Sequence, residues 1–391
     1  MPKGLRSRLE QRALGVDIGS QVVKYLLADR LADRLDIQAA GSFLLPPGLV
    51  EGGAVLDPKR FGKSVRSHLA ENGILGEDTV VSIPSNLAVL RWLSMPTLEA
   101  DELRDAARFK VRRHLPFPVE EAYVEARPAE EIDEEGMGNT LVIAVRREVV
   151  DSRAEALEYA GLNPIGAELE AQAILRVAER RMSQQSVLRR DASLTIIDVG
   201  ATNTHMYVVQ NQQLQFIRGV KFGASRISQC VADGLEVSLE QAEALLGSQD
   251  TILSTEGILH VSVEGRPACM DIKPAIEKLT REFLRLLRYF RSLHPERSYA
   301  GILDHVLVCG GLASLVGFAE YLEKDLGLRV ERARPFAGTI AKFNTDSFES
   351  IVSRQEAYTV VMGLALSGLG QRSETKGVRS VGHEFAWSRA A

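Results

Sequence analysis

Two short stretches share one pattern, and that pattern limits the fold more than any other feature of the chain. Leu14 to Asp29 reads LGVDIGSQVVKYLLAD, and Leu194 to Gln210 reads LTIIDVGATNTHMYVVQ. Each is an apolar run that ends on an aspartate, Asp17 or Asp198, then an aliphatic residue, a glycine, small or hydroxyl residues and a second β-type run. A period-two run interrupted at glycine and then resumed predicts a β-hairpin with a tight turn. Successive amides at such a turn form a nest for phosphate oxygens, and an acid at the strand end suits a hard cation held through water. A single copy reads more readily as an Asp that caps a glycine turn. Two copies with matched flanks predict an internal duplication, with two related α/β lobes that open on hairpins and hold a polyphosphate and its metal ion between them.

The rest of the chain fits that plan. At 391 residues it is long for a single core. Apolar content of 45% and charged content of 25% are those of a globular protein, and a net charge of −5 offers nucleic acid no electrostatic attraction. Cys230, Cys269 and Cys309 lack metal or redox spacing, which points to a reducing cytoplasm. The basic N-terminus is followed by no apolar core of a signal peptide, and no apolar run approaches the ~20 residues that span a bilayer. The expected location is therefore the cytoplasm, with any membrane contact made through a partner.

Taken in order, residues 1–12 read as a helical lead-in. Strands are predicted over about 14–17, 22–28, 35–45 and 78–84, with a helix N-capped by Asp57 and opened by Pro58. Composition then shifts to a charged amphipathic helix, Glu99 to His114, stopped by Pro116-Phe117-Pro118, with strands and a further helix up to Gly161. The second half repeats the strand order, and 250–270 has no clear pattern. The predicted organisation is a first lobe over 13–85 and 161–190 interrupted by an inserted subdomain at 86–160. A second lobe covers 191–235 and 301–370 around a small subdomain at 236–300, and a polar, disordered tail covers 371–391.

A third element is Val306 to Leu315, VLVCGGLASL, where a buried strand meets two glycines and then a helix. That geometry lets backbone approach a flat ligand. Together, DIGSQVVK, DVGATNT and CGGLASLVGF resemble the two phosphate motifs and the adenosine motif of the actin, sugar kinase and chaperone ATPase fold. With VVSIPSNLAVLRWLSMP and ELRDAARFKVRRHLPFPVEEAYVE, the chain resembles the FtsA/PilM family of that superfamily from about residue 13 to 369.

The resemblance implies an actin-like, ribonuclease H-like α/β fold, duplicated and two-lobed, with an FtsA-type insertion. It implies ATP or ADP with Mg²⁺ as cofactor. Asp17, Gly19, Ser20 and Lys24 would form the first phosphate loop, and Asp198, Gly200, Thr202 and Thr204 the second. Gly310 and Gly311 would lie against adenosine, with Glu282 and Arg285 near the ribose and base. Asp17 and Asp198 would hold Mg²⁺ through water. Val22 and Leu286 stand where relatives often carry hydroxyls. Gln172, with Glu170 as the alternative, occupies the place of a water-ordering group, and any hydrolysis would be slow.

The implied role is a cytoplasmic scaffold of type IV pilus or related secretion machinery. It would bind the N-terminal peptide of a PilN-like bitopic inner-membrane protein and link the assembly platform to the motor, with self-association as a further property. An FtsA-like filament-forming division protein is the alternative, and a small-molecule kinase would need a catalytic Asp that is not visible. The basic run Arg104, Arg108, Lys110, Arg112 and Arg113 is balanced by neighbouring acids and reads as a solvated helix face, and His114 and His205 have no partners at metal spacing.

Overall fold

The computed structural model describes residues 10–31, 34–127, 132–185, 193–210, 213–293, 305–342, 345–374 and 385–386. It divides into two compact units, one of Met1–Ile174, Gly338–Phe343 and Val360–Ala391, the other of Leu175–Ala337 and Asn344–Thr359.

In the first unit the opening hairpin is β1 (Glu10–Ile18) and β2 (Val22–Leu31), followed by β3 (Arg34–Leu44). A small pair, β4 (Val50–Glu51) and β5 (Ala54–Val55), leads to α1 (Pro58–Glu71). Asp57 caps α1 by accepting from the Arg60 amide at 2.8 Å, with Pro58 at the first helical position. Next come β6 (Asp78–Ile83), β7 (Val89–Pro96), α2 (Ala100–Val111), β8 (Ala122–Arg127), β9 (Met137–Arg146), α3 (Arg147–Ala160), β10 (Asn163–Leu169) and the start of α4 (Glu170–Gln185). β1 pairs antiparallel with β2 and parallel with β6, and β6 runs parallel to β10.

The inserted segment forms its own sheet, ordered β7-β9-β8, with α2 against it. β9 is buried on both faces. Val142 and Ala144 enter a core with Met95, Leu103, Ala107 and Val111, while Leu141, Ile143 and Val145 enter the main core of the unit. Two-sided burial explains why 141–145 is continuously apolar instead of alternating. Three of the five basic residues bond within this subdomain: Arg108 donates to the Val119 and Ala122 carbonyls, Lys110 to the Ser94 carbonyl, and Arg104 to Asp101, while Arg112 and Arg113 are exposed. α3, expected within the insertion, instead packs on α1, with Gly62 tight against Tyr159 and Ala160.

The second unit repeats the plan. β11 (Leu194–Val199), β12 (Thr204–Gln210) and β13 (Gln213–Val220) are followed by α5 (Ala224–Leu235) and α6 (Leu239–Leu246), the latter opened by a capping box between Ser238 and Gln241. The stretch without pattern proves to be a three-stranded sheet of β14 (Ile252–Leu253), β15 (Ile258–Val263) and β16 (Arg266–Asp271). Then come α7 (Lys273–Leu293), β17 (His305–Gly310), α8 (Phe318–Leu326) and β18 (Val330–Arg332). The sheet order β13-β12-β11-β17-β18 reproduces β3-β2-β1-β6-β10 of the first unit.

The chain then supplies β19 (Thr339–Ala341) to the edge of β3, α9 (Thr345–Val352) to the second unit, and α10 (Thr359–Glu374). α10 is buried from Thr359 to Leu369, which matches its apolar surface all round. It lies so close to β1 that a Cβ on Gly15 would meet the Val361 carbonyl and stand 2.8 Å from the Ala365 amide. Of the expected disordered tail, 371–374 continue α10 and Phe385–Ala386 forms β20, antiparallel to β10. The remaining tail residues, the lead-in before Glu10 and 186–190 lie outside the described residues.

Candidate functional site

The two hairpin turns are built alike. The Gly19 amide donates to the Val22 carbonyl at 3.0 Å, and the Gly200 amide donates to the Asn203 carbonyl at 3.0 Å. A Cβ on Gly19 would stand 2.8 Å from the acceptor oxygen of its turn, and one on Gly200 2.9 Å from its own, so both positions require glycine. The amides of Ser20, Gln21, Ala201 and Thr202 donate to no internal acceptor among the described residues, and the Ser20 and Thr202 side chains are exposed. These are the donors a phosphate group needs.

Register places Lys24 directly opposite Asp17, and His205 directly opposite Asp198. Opposed residues of an antiparallel pair share a face, so each acid has a nitrogen base as its cross-strand neighbour. Burial pushes the His205 imidazole down to about 4. Its Nε2 is buried and has no hydrogen-bond partner among the described residues. Thr204 is buried and its hydroxyl donates to the Phe222 carbonyl at 2.7 Å, so it secures the hairpin from inside.

Behind Asp17 stands a network that sequence reasoning missed. The Ser82 hydroxyl donates to Asp17 Oδ1 at 2.7 Å and accepts from the Ile18 amide at 3.2 Å. Arg153, fully buried on α3, donates from Nη1 to the Ser82 carbonyl at 2.8 Å and to Ser82 Oγ at 3.2 Å, and from Nε to the Gly53 carbonyl at 2.8 Å. Burial pushes the guanidinium down to about 10, against the opposing charges of Glu170 and Asp17, and it remains a cation at neutral pH. Two signals were available. Ser82 is a hydroxyl within the apolar strand VVSIP, and Arg153 lies on the apolar stripe of α3 with Val149, Val150, Ala156 and Leu157.

Glu170 and Gln172, the candidates for ordering water, lie in the first turn of α4. Glu170 Oε2 accepts from the Ser85 amide at 3.2 Å while Ser85 Oγ accepts from the Ala171 amide at 2.9 Å, a reciprocal cap that engages Glu170 structurally. Gln172 is nine-tenths buried.

In the second unit β17 runs parallel to β11, with Val199 beside Gly310. Gly310 has a φ of 89°, and a Cβ there would meet the Val199 carbonyl and lie 2.7 Å from Asp198 Oδ1. Its glycine is demanded by the protein's own packing. Gly311 differs: its backbone is right-handed, and a Cβ would find no protein atom within 4 Å. Among the described residues, the space beside Gly311 is left open. The turn that follows is tied down by Glu356, which accepts from Ser314 Oγ at 3.1 Å and pairs with Arg332 at 2.9 Å. Burial pushes the Glu356 carboxyl up, opposed by its own backbone hydrogen bond and by Arg332. Glu282 and Arg285 pair with each other on an exposed face of α7, the Arg285 guanidinium donating two hydrogen bonds to Glu282 Oε2.

Among the described residues no group of three or more His, Cys, Asp or Glu is placed to hold a metal ion. The donor set fits a cation that arrives on phosphates and keeps most of its water, for which one carboxylate per turn is sufficient. Open turn amides and the free space at Gly311 fit a nucleotide in the same way.

Residues 15–369 match the family described as Type IV pilus assembly protein PilM. The chain belongs to this family. It is 22% identical over 350 residues to cell division protein FtsA of Streptococcus pneumoniae serotype 2 (strain D39 / NCTC 7466), covering 81% of this chain and 74% of that protein. A solved PilM-PilN type IV pilus biogenesis complex superposes with a TM-score of 0.72 at 23% identity, covering 91% of this chain and 98% of the other. MreB5 of Spiroplasma citri bound to ADP gives a TM-score of 0.50 at 11% identity, over 94% of this chain and 99% of that one. The fold is the actin-like ATPase fold. Among the described residues no helix is long and apolar enough to cross a membrane.

Proposed function

We propose that this member of the family is a nucleotide-binding scaffold of type IV pilus assembly. It binds the N-terminal cytoplasmic peptide of a PilN-like bitopic inner-membrane protein beside the inserted sheet, and so links the membrane platform to the assembly motor from the cytoplasmic side. Family membership supports the pilus setting, and the likeness to the PilM-PilN complex supports the class of partner. The observation that carries the nucleotide part is the repetition of one turn, Gly19 amide to Val22 carbonyl and Gly200 amide to Asn203 carbonyl, each beside an aspartate.

The residues proposed for ATP or ADP are Asp17, Gly19, Ser20 and Lys24 of the first turn, and Asp198, Gly200, Thr202 and the open surface of Gly311, with Thr204 and Gly310 acting through the backbone that they shape. Mg²⁺ is held by phosphates and by Asp17 and Asp198 through water. Glu282 and Arg285 contact the ribose or base only after their mutual pair opens. The proposed activity is binding. Any hydrolysis is slow, because Glu170 is engaged by Ser85 and Gln172 is nine-tenths buried.

Calorimetry with ATP and Mg²⁺ tests the site. Asp17→Ala and Asp198→Ala should each weaken binding at least about tenfold, the loss of one charge-assisted contact. Unchanged affinity in both variants rejects the assignment. The partner peptide is then titrated with and without ATP, and equal affinities reject coupling between nucleotide and partner. An FtsA-like polymerising role is the second reading, favoured by the FtsA relationship. ATP-dependent sedimentation with filaments visible by electron microscopy would favour it over the scaffold.

A further inference from the structure

We infer that Arg153 is a positioning residue for the first phosphate turn: acting through Ser82, it fixes how Asp17 presents its carboxylate. The inference rests on the nucleotide reading above. It begins with the bonding capacity of one hydroxyl, which has a single hydrogen to donate and two lone pairs to accept with. At Ser82 Oγ both acceptor places are filled, by the Ile18 amide at 3.2 Å and by Arg153 Nη1 at 3.2 Å. The hydroxyl hydrogen therefore has one destination, Asp17 Oδ1 at 2.7 Å. With that oxygen held, Asp17 turns its remaining oxygen in a determined direction. A Ser82 without Arg153 would have a free lone pair and a hydroxyl able to rotate.

The cost of the arrangement shows that it is more than filler. Arg153 is 1% exposed, and its three hydrogen bonds all go to uncharged oxygens, those of Gly53 and Ser82. Charges buried without a direct partner are expensive, and an apolar residue of similar volume commonly serves folding as well or better. Two carboxylates, Glu170 and Asp17, oppose the Arg153 charge, and of these its hydrogen bonds lead to Asp17, through the Ser82 hydroxyl. Chains of polarised hydrogen bonds strengthen one another in a low-dielectric interior, so the guanidinium also strengthens the Ser82 donation. α3 follows directly from β9, the central strand of the inserted sheet, so the side chain that sets Asp17 belongs to an element continuous with the subdomain proposed to carry the partner peptide.

The test compares wild type, Arg153→Met, Arg153→Lys and Ser82→Ala by calorimetry with ADP, once with Mg²⁺ and once in EDTA, with thermal unfolding of the free proteins alongside. Positioning predicts that Arg153→Met and Ser82→Ala lose tenfold or more in affinity with Mg²⁺ and less than threefold in EDTA, while the free proteins unfold at nearly the wild-type temperature. Arg153→Lys keeps the charge without the forked geometry and should fall between. A folded Arg153→Met with the wild-type ratio of Mg²⁺ to EDTA affinity overturns the inference. If Arg153→Met fails to fold, the same comparison is read on Ser82→Ala. If wild type binds no nucleotide, the nucleotide reading falls. Positioning is then decided by crystal structures of the free proteins: Asp17 turned away from residue 82 in Arg153→Lys or Ser82→Ala supports it, and an unmoved Asp17 overturns it.

Discussion

Lys24 and His205 hold the same register position in the two hairpins, opposite Asp17 and Asp198, but in different surroundings. Lys24 is half-buried, whereas His205 is nine-tenths buried and held neutral. Its folded value of about 4 lies below the ordinary 6.5, so the unfolded chain takes up the proton first. The contribution is complete above pH 6.5 and is lost as pH falls toward 4, on the order of 3 kcal/mol across that window. Urea unfolding at pH 7 and pH 5 should show a steeper loss in wild type than in His205→Gln, and equal slopes would reject the linkage. The two adjacent glycines make a second residue-scale contrast. Gly311→Ala should leave stability within about 0.5 kcal/mol, because the backbone is right-handed and no atom is near, yet weaken ADP binding about tenfold. Gly310→Ala should instead cost more than ~2 kcal/mol in chemical unfolding, from positive φ and a backbone collision. Asp17, Gly19, Asp198 and Gly200 were legible in the sequence because turn chemistry is local. Ser82 and Arg153 were not, because a hydroxyl in a strand and a charge on a helical stripe acquire meaning only when β6 and α3 meet.

At the scale of elements, α1 could be read from its own residues, since Asp57 caps it and Pro58 opens it as local rules demand. Asp57→Ala should cost about 1 kcal/mol in urea unfolding. The β15–β16 hairpin escaped notice for an equally local reason. Its turn places Glu264 at φ 49° before Gly265 at φ 77°, and glutamate is not a residue that advertises such a turn. In β16 the inward positions are Ala268 and Met270, both only half-buried, so its alternation is weak. β19 is three residues long and gains its place by pairing with β3 and by the ion pair of Lys342 with buried Asp36 at 2.7 Å. The run 359–369 is apolar all round, which marks a buried helix but does not name its neighbour. Contact with β1 depends on Gly15, and Gly15→Ala should destabilise by about 2 kcal/mol through overpacking, seen as a lowered Tm.

For the whole molecule, duplication governs the design, and the insertion is the departure from it. The inserted sheet has a core of its own around Leu103, Ala107 and Val111. Leu103→Ala should therefore cost about 3 kcal/mol locally, raising hydrogen exchange in β7 and β8 while ADP affinity stays at the wild-type value. Saturating ADP and Mg²⁺ should stabilise the protein by about 2.7 kcal/mol at a hundred times Kd, an effect absent in Asp17→Ala. Taken alone, the sequence determined the two hairpins, their acidic glycine turns, the repeated strand order and the presence of an insertion. All of these follow from period, turn residues and caps within a few positions of each other. Tertiary structure decided which unit takes α10 and β19, that α3 packs on α1, and that Ser82 and Arg153 stand behind Asp17. Those facts depend on contacts between residues far apart in the chain, where burial and close backbone approach select a neighbour that no local pattern specifies.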